Sequence, residues 1–149
     1  MKIGNWPLML LALEHIIKHP EQHDQTSWYG ACGSLRCVAG WIAFFAGYRD
    51  VKQGPARFVG VLRDSDPPGD YPLDVELAAL TALELDPELY PAGSREEDAL
   101  SNSLFHGALS LTDILETVRD LAKADGVTPT PLIIEEMTRY GIISEWDVF

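Results

Sequence analysis

"LRCVAGWIAFFAG" (residues 35–47) is apolar on nearly every side of a helix, and this decides the fold class. A surface helix pairs an apolar stripe with a polar face; a helix lacking the polar face belongs inside a domain, covered all round. Ser34 offers a capping hydroxyl for a helix from Leu35 to about Gly47. Ala39-Gly40 and Ala46-Gly47 present small surfaces that let neighbouring helices approach closely. The expectation is an all-α, mainly helical single domain over residues 1–149. Five to six helices would surround the buried central one.

The flanking text supplies those helices. Asn5 is placed to cap a first helix with Pro7 in its first turn, and Pro20 stops it at about His19. The stretch 20–33 reads as a loop with room for one helical turn. Residues 48–72 are the least regular part. Arg57–Arg63 reads as a short strand or another helix, with Gly60 weakening both, and 64–72 is a turn or loop. Beyond it, Asp74 opens an apolar-faced helix over 75–85, and Ser94 with Glu97 has the form of a capping box before 95–107. Ser110 with Asp113 opens 111–126, where Leu111, Ile114, Leu115, Val118, Leu121 and Ala122 make a stripe and Gly126 the stop. Thr130 and Pro131 open a last helix, and 142–149 forms a tail packed by Trp146 and Phe149.

The chain's net charge of −12 is unevenly placed. Residues 1–63 carry seven Lys/Arg against four Asp/Glu, whereas 64–149 carry four against nineteen. An acidic field of that size repels a phosphate backbone, so nucleic acid is not the expected partner. The basic cluster Arg36, Arg49, Lys52, Arg57 and Arg63 lacks the interleaved aromatics of a base-stacking platform. It is read as ordinary surface, with a small-ligand or nucleotide-binding module as its functional alternative. No stretch approaches the ~20 apolar residues of a membrane span. The apolar start is interrupted by Glu14 and His15, and reads as an amphipathic helix rather than a signal peptide. Two cysteines are too few for a disulfide scaffold, so a cytoplasmic protein is expected.

Those cysteines, Cys32 and Cys37, follow three of the four histidines. His19, His23, Cys32 and Cys37 match a zinc centre in number and donor type, although their spacing departs from the usual fingers. Buried structural thiols with no cofactor are the leading reading, and zinc is the alternative. "HIIKH" (15–19) lacks the Glu of the metalloprotease motif. With Ser34 as cap, Cys37 falls at the third helical position beside Arg36, where a thiolate would be stabilised. It is the single candidate nucleophile, with His19 or His23 as its paired base, and no third orienting group or oxyanion donor can be named beside them. A Cys32–Cys37 disulfide is a further alternative, without the two-residue redox spacing. His106, at a helix end, is read as structural.

"HPEQHDQTSW" (19–28) followed by "CGSLRCVAGWIAFFAG" (32–47) resembles a family of small uncharacterised proteins from actinobacteria and their phages. The matching positions are His19, Pro20, Glu21, Trp28, Cys32, Gly33, Ser34, Cys37, Val38, Ala39, Gly40 and Trp41, with Ser34 where Thr is commoner. The resemblance covers about a fifth of the chain closely and implies a phage or actinobacterial context. It also implies that loop, cysteines and buried helix form one unit, a capped helix start held by Trp28. It implies no activity. Taken together, the expectation is a small acidic accessory protein acting without catalysis by binding a host protein or itself. Trp41, Phe44 and Phe45 are read as core before interface. A zinc-stabilised domain, a thiol enzyme or redox sensor at Cys37, and a ligand-binding module are the alternatives.

Overall fold

The computed structural model describes residues 1–25, 36–53, 57–67 and 70–149. Its elements in chain order are α1 (Trp6–Lys18), a single 3-10 turn (Pro20–Gln22), α2 (Val38–Phe45), β1 (Tyr48–Gln53), β2 (Arg57–Arg63), α3 (Val75–Ala82), α4 (Arg95–Phe105), α5 (Leu111–Asp125) and α6 (Pro131–Arg139). The domain is mainly helical, but the all-α expectation needs correcting, because β1 and β2 pair antiparallel. Among the described residues no helix is long and apolar enough to cross a membrane.

Helix α2 is central. It packs on α1, α3, α4 and β1, and six consecutive residues, Val38 to Ala43, are buried. At eight residues it is too short to persist alone, so burial of its side chains holds it. Its start differs from the expectation. Cys37, not Ser34, is the N-cap, its Sγ accepting from the Gly40 amide at 3.4 Å. The Val38 amide donates to the Gln25 side-chain carbonyl at 3.2 Å. Ser34 lies outside the described residues, as do Trp28, Cys32 and Gly33.

Three other helix starts work as read, and two do so only in part. Asn5 Oδ1 accepts from the Leu8 amide, Asp74 from Glu76, and Ser110 with Asp113 forms a complete capping box. At Ser94 the hydroxyl accepts from the Glu97 amide, but the Glu97 carboxylate takes the Gly93 amide instead of returning to Ser94. Gly126 ends α5 with φ +66°. Thr130 sits at the N-cap of α6, yet its hydroxyl makes no capping bond and is buried without a partner among the described residues.

The expected helix over 75–85 stops at Ala82 for a tertiary reason. The carbonyls of Ala82, Leu83 and Glu84 accept from Asn5 Nδ2, Asn5 N and Gly4 N. This close crossing leaves Glu84 at φ +54°. Residues 57–63, open between strand and helix, are strand. Tyr48 pairs with Arg63 and Val51 with Gly60, but Lys52 pairs with Phe58, so Val59 is the extra residue of a bulge. Val61 and Leu73 exchange both backbone bonds at 2.9 Å, adding a one-residue third rung.

Candidate functional site

The unit around the start of α2 was the leading candidate. Four backbone bonds tie residues 22–25 to 36–38 or close the turn before them. Arg36 N donates to Gln22 O at 3.1 Å and Asp24 N to Arg36 O at 3.0 Å, while Gln22 N and His23 N close the turn onto His19 O and Pro20 O. Trp41 Nε1 adds a bond to Gln22 O at 3.0 Å. Residues 22–25 and the start of α2 are therefore one piece.

Gln25, which the sequence reading passed over, is the hub. It is 8% exposed. Its Nε2 donates to the carbonyls of Leu104 and His106, and its Oε1 accepts from Val38 N, so the amide orientation is settled. His23 Nε2, 3.1 Å from the same Oε1, must then carry a proton and donate. That leaves only Nδ1 of His23 free for a metal.

The other candidate ligands occupy contrasting settings. His19 is half exposed, with Nδ1 3.5 Å from Glu21. His15 Nε2 bonds Gln22 Oε1 at 2.7 Å, and its ring lies 4.2 Å from that of Trp41 and 5.2 Å from Phe45. Cys37 is fully buried. Burial pushes its thiol up to about 11, against the opposing bonds from the Gly40 and Ala39 amides. At neutral pH it is an uncharged, hydrogen-bonded thiol, not the thiolate a nucleophile requires. Burial outweighs the stabilisation expected from the helix start, and the Arg36 guanidinium pairs with Asp50 at 2.9 Å. Among the described residues no three His, Cys, Asp or Glu side chains converge as a metal would need. Cys32 lies outside those residues.

Of the basic cluster, Arg36 is buried, while Arg49 and Lys52 are exposed and the side chain of Arg57 lies outside the described residues. Arg36 is 7% exposed, paired with Asp50, and its guanidinium sits 5.2 Å from Trp41 and 4.9 Å from Phe44. Arg49 faces Asp64 at 3.2 Å and Arg63 faces Asp66 at 3.5 Å. Of the aromatic trio, Trp41 is buried as expected, whereas Phe44 is 47% exposed.

The surface holds what the sequence reading placed wrongly. Trp146 does not pack the tail: it is 83% exposed and Val148 82% exposed, while Phe149 does pack against the core. A tight turn displays them. Ser144 N donates to Asp147 Oδ2 at 2.6 Å, Asp147 N to Ser144 O at 3.1 Å, and Trp146 N to Ser144 Oγ at 3.3 Å. Helix α5 clamps the turn through Lys123, paired with Asp147, and through Arg119, which donates to Ile142 O at 2.8 Å. The Lys123 hydrogen bond, with that from Ser144, holds the Asp147 carboxyl below its ordinary range. A large aromatic is thus left in solvent on a hydrogen-bonded turn whose Asp147 carboxylate faces Ser144 and Lys123.

No protein-family model, curated protein or solved structure matches this chain.

Proposed function

We propose that this chain is a non-catalytic accessory protein that binds a basic protein of the cell in which it is made. Trp146 carries the reading. Tryptophan is the side chain most enriched among residues that dominate protein interfaces, and its indole is largely surrendered to solvent here. Several hydrogen bonds and an ion pair fix the backbone of its turn, so on binding the ordering left is mainly that of the side chain itself. The acidic half that carries Trp146, with Glu145 next to it in the chain, suits a partner with a basic rim around an apolar pocket. The resemblance of residues 19–41 makes an actinobacterial host protein the first partner to seek.

The test is capture from an actinobacterial lysate on immobilised wild type, on Trp146→Ala and on a charge-matched unrelated protein. The substitution removes an exposed side chain, so the fold should survive. A basic protein held by the wild type and weakened by about tenfold or more in the variant is expected. Equal capture by the variant or by the control overturns the proposal.

A further inference from the structure

Helices α4 and α5 pack side by side, and the seam between them is not filled. On α4 the positions along it are Glu96, Ala99, Leu100 and Ser103, at i, i+3, i+4 and i+7; on α5 they are Thr117, Asp120 and Leu121. Leu100 and Leu121 are buried and supply an apolar floor. Ala99, Ser103 and Thr117 are too small to close the space above it. A cavity of about 330 Å³ remains, with Lys2 and Tyr90 as its third wall. Those two arrive together, because Asp86 N donates to Lys2 O at 3.1 Å and Tyr90 N to Asp86 O at 2.8 Å.

The walls differ in what they offer a ligand. The Ser103 hydroxyl donates to Ala99 O at 2.9 Å, and that of Thr117 to Asp113 O at 3.3 Å. Their protons are spent inside their own helices, so both are left with lone pairs only. Glu96 and Asp120, as carboxylates, also only accept. Asp120 shares its charge with Arg119 at 2.9 Å. Among the described residues the Glu96 carboxylate and the Lys2 ammonium form no ion pair, with each other or with any other group. Lys2 brings three donors. Tyr90 brings a fourth, since burial, with Asp125 nearby, pushes its phenol up and keeps it protonated. Acceptors therefore line the two helices, and donors the third wall.

We propose that this cavity binds a free basic amino acid, with its cationic end among the α4–α5 acceptors and its carboxylate at Lys2 and Tyr90. A guanidinium carries five donors and no acceptor, which matches the helical walls, and its aliphatic stem suits Leu100 and Leu121. The net charge of −12 draws cations of any kind, but a simple cation leaves Lys2 with nothing to pair. The site shares no residue with the Trp146 turn and stands or falls without it.

The experiment titrates the full chain with three probes at about 0.15 M salt, where diffuse attraction is screened. They are arginine, agmatine (arginine without its carboxylate) and norvaline (arginine without its guanidinium). Backbone amide shifts should move at residues 2, 90, 96–103 and 117–121, with arginine saturating at a Kd of about 1 mM or tighter. Agmatine and norvaline should each bind at least about fivefold more weakly. Lys2→Gln should reduce arginine to the level of agmatine and leave agmatine unchanged. Glu96→Gln should weaken both by about twofold to fivefold. Ser103→Leu, at an exposed position, should fill the cavity and abolish binding while amides elsewhere keep their shifts. No saturable shift, shifts spread over the acidic surface, either truncated probe binding as tightly as arginine, or indifference to any of these substitutions each overturns the proposal.

Discussion

Asp125 takes three hydrogen bonds on two oxygens: Lys2 N at 2.6 Å on one, Ile3 N at 3.0 Å and Trp6 Nε1 at 2.8 Å on the other. Burial alone would push its carboxyl up, but these bonds outweigh it and hold it below its ordinary value of 3.8. A carboxyl depressed in the folded state stabilises above its unfolded value and loses that effect as pH falls through the folded one. Asp125→Asn should therefore cost about 2 kcal/mol at neutral pH. Urea unfolding of the two proteins should converge as pH drops well below 3.8. A gap that persists unchanged into strong acid would show that shape, not charge, holds these donors. Gln25 plays the same part for neutral groups, joining Val38, Leu104, His106 and His23. Neither residue stood out in the sequence, because each partner set lies far away along the chain.

At the scale of elements, the strand pair was the part least legible. "YRDVKQ" is too charged to show an apolar face, and Gly60 argued against any regular element. The structure gives Gly60 a definite role. Its φ is +148°, opposite Val51 at the bulge, and a Cβ there would lie 2.5 Å from Leu73 O. Gly60→Ala should destabilise by about 3 kcal/mol, from strain and a backbone clash combined, measured by thermal or urea unfolding. A change below about 0.5 kcal/mol would mean that the Val61–Leu73 rung gives way at no cost. The helices were more legible, since Asn5, Asp74, Ser110 and Gly126 each act within a few residues. The start of α2 was not. A run of apolar residues shows that a helix is buried but not where its first turn begins, and here the first turn is set by Gln25 and Cys37.

For the whole molecule, charge is the dominant asymmetry. Nineteen acidic against four basic residues over 64–149 repel one another in the compact state. The exposed pairs formed by Arg119 and Arg139 offset little of this. Raising ionic strength from about 0.01 M to 0.15 M shortens the screening length from about 30 Å to 8 Å. The melting temperature should rise over that interval. A fall would mean that attractive pairs, such as Lys123 with Asp147, outweigh the repulsion. Trp146 and Val148 on the 144–149 turn are among the most exposed apolar side chains, and binding is to be sought there first.

What the sequence alone determined is local or collective. Helix caps reach only a few residues, and a helix without a polar face must be covered whatever covers it. These fixed the helical character, the identity of the central helix and most helix ends. Tertiary structure decided everything resting on distant partners. It ended α3 against Gly4 and Asn5, pinned residues 2–6 on Asp125, turned His23 into a donor to Gln25, and buried Cys37 as a neutral thiol. It also decided which apolar residues stay outside. Composition counts Trp146 and Leu11 with the core, and only the folded arrangement shows that α5 and α1 hold them out to solvent.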